Sequence, residues 1–426
     1  MVQLLLILCG SRVVRRNWWL VFFFGVFWMA IGAVVFSNAL FSQSRISPIW
    51  FTVPLLIDGI LSLATAFAVG GTARSLRLSK AGMLLCVALF IIFTPRYSGI
   101  IIGILVGLFL MIDAAWRAGS AWVLLYQGWR RTLCFAVVEF LAGVWSIVPW
   151  PTHWAGSVGA DAGTLLMLSA AGMCGMGLRL RRLPEGMSIL NAMNRAWTRS
   201  PDKRPLPGYT VTPRLDREPW DVTVHVWTPT EQLASINQGV SRYVAARDRK
   251  GVISTGHAAL ELPPDVYISH YPAVEIDRDQ SEFRKTLRST ADNDVDGTFM
   301  PSYPEESAGW CPSTMQVRLS GLNTAAIRHF WSLYRADTTY NLTNRNCSSA
   351  VAHALDVGLE GFLERHAHPS GFWLRLLFTP ECWVAGFMRQ RAAAMTWTPG
   401  LVLDYARAIS YILTLSHRLR KGRAGG

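Results

Sequence analysis

Asn346-Cys347 joins a helix-capping residue to a nucleophilic one, and two histidines, His257 and His270, stand upstream within one short segment. Cys347 opens NCSSAVAHALDVG, where Ala350, Val351, Ala354 and Leu355 recur at helical spacing before Gly358. Asn346 is a favourable N-cap, so Cys347 falls in the first turn, among unpaired N–H groups at the positive end of the helix dipole. That setting favours the thiolate, the attacking form of the side chain. The histidines lie in GHAALELPPDVYISHYP, which predicts two short strands about a Pro263-Pro264 turn. Strand alternation puts His257, Ala259 and Glu261 on one face, and Val266, Ile268 and His270 on one face of the return strand. With a two-residue turn, His257 and His270 become cross-strand partners about 5 Å apart at Cβ. The chemistry this predicts is nucleophilic attack on a carbonyl by Cys347, with His257 as base and His270 orienting its ring.

At these residues the chain resembles the circularly permuted branch of the papain-like NlpC superfamily, and within it the lecithin:retinol acyltransferase-like proteins. Those carry a histidine, a second histidine about a dozen residues on, and later an Asn-Cys opening a helix. The matching residues are His257, His270 and Asn346-Cys347, within roughly 221–360. The resemblance implies a cysteine hydrolase or acyltransferase passing through an acyl-enzyme on Cys347, with an acyl-lipid or a peptide as substrate.

The elements that must carry this site divide the sequence sharply. Residues 1–182 are mostly apolar and hold 14 Lys and Arg against 4 Asp and Glu, whereas the remainder holds 27 against 24. Apolar stretches near 17–40, 48–70, 81–95, 98–116, 132–150 and 162–178 predict six transmembrane helices. Twelve basic residues (among them Arg12, Arg77, Arg130 and Arg181) fall on one side of these spans, and only Arg45 and Arg96 on the other. The positive-inside rule then puts both ends of this region, and the Cys/His domain, in the cytoplasm. The basic balance is therefore topological, and no nucleic-acid patch is expected.

LLIDGILSLATA around Asp58 aligns with LMIDAAWRAGSA around Asp113 at a spacing of 55, and LMLSAAGMCGMG around Ser169 lies a further 56 on. Three helical hairpins from one repeated unit are the expectation. Gly25 and Gly32, Gly99, Gly103 and Gly107, and Gly172 and Gly175 supply small-residue stripes for close helix packing. Asp58, Asp113 and Glu139 lie within apolar spans without basic partners there, and read as groups hydrogen-bonded to neighbouring helices. Residues 17–180 as a whole resemble the HdeD family, small six-helix bacterial inner-membrane proteins associated with acid stress. That resemblance implies a multi-pass protein of the bacterial inner membrane.

The predicted architecture is thus a six-helix transmembrane bundle followed by an α+β permuted papain-like domain. The expected divisions are a membrane domain at 1–182, a Pro- and charge-rich linker at 183–220, the hydrolase domain at 221–365 and an apolar, basic-ended extension at 366–426. DVTVHVW and STMQVRLSGL read as strands, and SEFRKTLRS and LNTAAIRHFWSLYRA as helices. Seven scattered cysteines without a CxxC pair imply neither zinc nor disulfides, and no cofactor is expected. Cys311 and Cys382 read as structural, and His366 and His368 lack a metal-site pattern. The apolar start is followed, not preceded, by Arg12 to Arg16, so a cleaved signal peptide is not expected. The alternative reading is a non-catalytic stress-response membrane sensor or binding protein, which predicts that Cys347→Ser leaves function intact.

Overall fold

A computed structural model describes residues 2–41, 48–66, 71–126, 128–148, 157–193, 221–227, 246–247, 253–254, 256–274, 283–365, 372–394 and 396–424. The segment 198–220, expected as the exit from the bilayer, lies outside the described residues, as do His366 and His368.

The soluble part is built on a four-stranded antiparallel sheet of β1 (Val222–Trp227), β4 (His257–Leu262), β5 (Val266–Ile268) and β8 (Met315–Leu319), in the order β5-β4-β1-β8. Alternation divides its faces. Val222, Val224, Val226, Ala258, Leu260, Leu262 and Ile268 enter the main core, whereas Trp227, Ala259 and Tyr267 form a second cluster on the opposite face. Four two- or three-residue strands of the described residues lie between: β2 (Ala246–Arg247) paired with β3 (Ile253–Ser254), and β6 (His270–Pro272) paired with β7 (Gly297–Phe299).

The helix expected at Cys347 is present as α13 (Cys347–Leu359), and all thirteen of its residues are buried. It is numbered after α9 (Leu190–Met193), α10 (Phe283–Thr286), α11 (Tyr303–Gly309) and α12 (Thr324–Tyr334), and is followed by α14 (Phe362–Arg365), α15 (Phe372–Phe378), α16 (Pro380–Ala394) and α17 (Pro399–Ala424). Helices α13 and α17 pack on the core face of the sheet, and α11 supplies Tyr303 to the other.

This core does not close at residue 365. Val402, Tyr405, Ala406, Ile409 and Ile412 of α17 lie in it, so the tail expected as an extension is a core helix. The first helix, α1 (Val2–Cys9), also belongs to it, burying Leu4, Leu6, Ile7 and Leu8 against α13, α14 and α16. Leu183, Ile189, Leu190 and Met193, expected within a linker, are buried too. The apolar residues at the start of the chain thus complete the soluble core from the far end of the sequence.

Between these segments run α2 (Ser11–Arg16), α3 (Trp18–Phe41), α4 (Thr52–Ala66), α5 (Gly71–Phe93), α6 (Pro95–Leu124), α7 (Trp129–Ile147) and α8 (Ser157–Arg181). Among the described residues three stretches, Trp18–Phe41, Gly99–Leu124 and Gly159–Arg181, are long and apolar enough to cross a membrane, and Leu78–Phe93 is a shorter apolar helix. Their large side chains point outward: Phe27, Phe93 and Phe109 are 57%, 78% and 66% exposed. Helix α3 packs along α8, α4 along α5 and α6 along α7, so the closest partners lie outside the hairpins α3–α4, α5–α6 and α7–α8. Glycines set these pairs. A Cβ on Gly32 would meet the Gly163 carbonyl at 2.9 Å, and one on Gly107 the Gly143 carbonyl at 2.7 Å. Gly25 abuts Cys174 in the same way, whereas a Cβ on Gly172 or Gly175 would meet nothing within 4 Å.

Two of the acids expected within apolar spans, Asp113 and Glu139, have a basic partner after all. Arg117 Nε lies 2.6 Å from Asp113 and 3.1 Å from Glu139, joining α6 to α7. Arg117, expected just beyond its span, instead lies within the apolar stretch Gly99–Leu124. The side chain of Asp58 lies outside the described residues.

Candidate active site

The capping geometry read from the sequence is realised. Asn346 accepts from the Ser349 N–H at 2.7 Å, and the Ser349 hydroxyl accepts from the Asn346 N–H at 2.9 Å, forming a capping box. Arg345 pins the approach: buried, it donates to the carbonyls of Thr339, Tyr334 and Asp337 and lies over the Tyr334 ring at 3.9 Å. The Asn346 amide also reaches the Leu342 carbonyl at 2.7 Å and Thr396 at 3.3 Å. Cys347 is therefore fixed at a helix N-terminus by contacts on both sides of the chain.

His257, at the start of β4, stands beside Cys347, close enough for imidazole and sulfur to act on each other's charge, and the Ala258 backbone N–H acts on the sulfur in the same sense. Nε2 of the same ring lies 3.2 Å from Glu306 of α11 and 2.9 Å from Ser269, so neither partner occupies Nδ1. Glu306 is 2% exposed and is bonded on every side, accepting from Tyr271 at 2.7 Å, from Ser269 at 3.1 Å and from Tyr267. Tyr271 also stacks on His257, with ring centroids 4.1 Å apart and planes 15° off parallel. Trp227 leans on the ring's surroundings at 5.4 Å and stacks on Trp310, which is 55% exposed.

Charge follows from these contacts. Burial alone would raise the Cys347 thiol, but the neighbouring His257 and the Ala258 N–H bring it below the ordinary thiol range. Burial disfavours imidazolium at His257, yet the Cys347 sulfur and then Glu306 raise that ring to about 9. Glu306 would be raised by burial, and His257 with the Tyr267 and Tyr271 hydroxyls holds it below the ordinary carboxylate range. A thiolate–imidazolium pair backed by a carboxylate is the state this arrangement favours.

His270 does not take the expected place beside His257. The loop joining β4 to β5 has three residues, Pro263, Pro264 and Asp265, because Leu262 pairs with Val266 and Glu261 with Tyr267. One extra residue shifts the register by one and turns every later side chain to the other face. Tyr271 thereby arrives at His257, and His270 points away, bonding Tyr334 at 3.0 Å and the Thr338 carbonyl at 3.2 Å. Burial lowers His270 to about 3, so its ring is neutral. The orienting role read for His270 falls by position to Glu306. Its sequence signal was slight: SYPEE carries a Ser-Pro helix start, in which Ser302 accepts from the Glu305 N–H, but nothing marks the second acid.

Among the described residues no group of three or more His, Cys, Asp or Glu side chains is placed to hold a metal ion. No family model, no curated protein and no solved structure matches this chain.

Proposed function

We propose that the protein is a membrane-anchored cysteine hydrolase or acyltransferase acting through Cys347. The observation that carries this reading is the buried Cys347–His257–Glu306 relay at a helix N-terminus. In the reaction Cys347 attacks an ester or amide carbonyl and its proton resides on His257. The first-turn N–H of Cys347 is one donor to the oxyanion, since N–H groups there lack intrahelical acceptors. The leaving alcohol or amine takes the proton from imidazolium, and water or an acceptor then releases the acyl group with His257 as base. Glu306 holds the imidazolium in place. The order His before Asn-Cys along the chain, with the nucleophile on a helix packed against the histidine strand, suits the permuted papain-like resemblance.

The membrane reading is six spans, with α4, α5 and α7 completing the three longer ones, in the bacterial inner membrane. Two features support it. The packed glycine pairs Gly32–Gly163 and Gly107–Gly143 sit at equivalent positions of the repeated unit. The chain ends of α3, α6 and α8 that six crossings would put on one side all meet the soluble core: α2 and α9 flank it, and the Ser289 N–H donates to the Leu124 carbonyl at 2.6 Å. That is also the basic, cytoplasmic side. The HdeD-like relationship belongs to this reading.

An acyl-lipid is the first substrate class, given an active site tied to a bilayer domain, and a peptide bond the second. The test is an activity-based thiol probe on membranes, followed by lipid and peptide profiling of wild type against Cys347→Ala. Probe labelling lost in Cys347→Ala, with one product class missing from the variant, supports the reading. Labelling that persists in the variant, with identical profiles, rejects it in favour of a sensor or binding protein.

A further inference from the structure

A second relay lies one strand away from the first and serves nothing described so far. His225 of β1 and Glu261 of β4 share the sheet face of His257, as diagonal cross-strand neighbours, because His225 is opposite Ala259 and Glu261 opposite Thr223. His225 Nε2 lies 3.1 Å from Glu261, and its Nδ1 lies 3.2 Å from the Ser313 hydroxyl. The ring is 2% exposed and clamped against Tyr303, with centroids 3.9 Å apart, while Ser313 is part-exposed. A carboxylate can only accept, so the ring proton sits on Nε2 and Nδ1 is left as an acceptor for the Ser313 O–H. Burial holds His225 below the ordinary histidine range, against the pull of Glu261, so the ring is neutral and able to take a proton.

Around the Ser313 oxygen stand two further side-chain groups, Gln316 Nε2 and the Tyr303 hydroxyl, each at 3.1 Å. We propose that Ser313, His225 and Glu261 form a second nucleophilic site, of serine-hydrolase type, for an uncharged acyl ester. Ser313 Oγ bonds to the carbonyl carbon as its proton passes to His225 Nδ1. The carbonyl–oxygen single bond then breaks, and the departing alcohol leaves with that proton. Water adds to the acyl-serine by the same base and frees the acid, returning Ser313 to its hydroxyl form. Gln316 and the Tyr303 hydroxyl are the side-chain donors nearest the reacting oxygen. The site is chemically independent of Cys347.

The test uses the full-length protein in detergent with Cys347→Ala as the background, so that failure of the cysteine reading cannot be confused with failure of this one. An alkyl fluorophosphonate is the probe, and adducts are located by peptide mass mapping. The expected result is an adduct on Ser313, absent in Ser313→Ala and formed at least tenfold more slowly in His225→Gln and in Glu261→Gln. No adduct on Ser313, in protein whose thermal unfolding matches that of Ser313→Ala, overturns the proposal. So does an adduct that forms equally fast without His225, since exposure and not activation would then explain it. The Glu261→Gln arm keeps the test decisive where His225→Gln fails to fold.

Discussion

Cys347 and Cys382 are both buried thiols on helices, and their surroundings send them in opposite directions. Cys382 has mainly apolar neighbours, so burial pushes it up to about 12, and burial likewise takes Cys9 to about 11. Cys347 differs through one imidazole and one backbone N–H. The histidine carries a pH consequence. His257 titrates at about 9 in the fold against 6.5 when unperturbed, so its stabilising ion pair is fully present below about 6.5 and lost as pH rises through about 9. The rate of acyl-enzyme formation should therefore fall on an alkaline limb near 9. Glu306→Gln removes a carboxylate that raises His257, and should move that limb to lower pH in a single-turnover pH profile; an unmoved limb would detach Glu306 from the relay. His270→Asn should leave the limb in place and instead lower stability by about 1–3 kcal/mol, as a buried neutral ring loses two partners. Denaturant titration alongside the pH profile separates the two effects.

At the scale of elements, α13 is held by its far end as well as by its cap. Asp356 pairs with Arg389 of α16 at 2.9 Å and accepts from Tyr405 of α17, while Arg389 reaches Gln3 of α1 at 3.1 Å. Four helices thus meet at one buried charge pair. Asp356→Ala leaves the guanidinium uncompensated and should cost about 3–5 kcal/mol in urea unfolding, whereas an exposed pair such as Arg12–Glu364 should cost under about 1 kcal/mol. Equal small losses would mean that the Asp356 cluster is not dry. Helix α13, its Asn346 cap, β1, β4, β8 and α12 were legible because each rests on local rules of alternation, capping and 3.6-residue periodicity. The turn was not: PPD admits a two- or a three-residue loop, and that one choice decides whether His270 or Tyr271 meets His257. Glu306 was hidden for a related reason, since only tertiary packing of α11 on the second sheet face brings it to the histidine. Arg117 was missed because a charge at a span's end reads as a topology signal, and its carboxylate partners lie one turn back and on the next helix.

For the molecule as a whole, the apolar helices interrupt the soluble fold in sequence but not in space. Helix α1 precedes them and α9 follows, yet both bury their leucines in one core with the sheet and α17. Composition could not show this, because an apolar N-terminal helix next to apolar spans looks like more of the same. The arrangement predicts that the first residues stabilise the part of the fold that carries Cys347. Ile7→Ala, at a fully buried position, should destabilise the soluble fold by about 2–4 kcal/mol, read as easier exposure of Cys382 to a thiol reagent in denaturant. An unchanged denaturation midpoint would mean that α1 is not docked. Topology is tested on the same scale. Reporter fusions after Leu183 and at the C-terminus should give a cytoplasmic signal, and those near Ser44 and His153 the opposite one. A signal from the far side at Leu183 would overturn six crossings and the compartment together.

The proposed relay requires Cys347 to be a thiol activated by His257, and the ionisation of Cys347 measures that directly. Alkylation of Cys347 by iodoacetamide, followed by peptide mass spectrometry across pH, reports the thiolate fraction in the folded protein. Cys347 should react well below the ordinary thiol range, ahead of Cys311 and Cys382, and His257→Ala should move its titration upward. A Cys347 that titrates at or above the ordinary thiol value in the wild type, or one indifferent to the loss of His257, would contradict the relay.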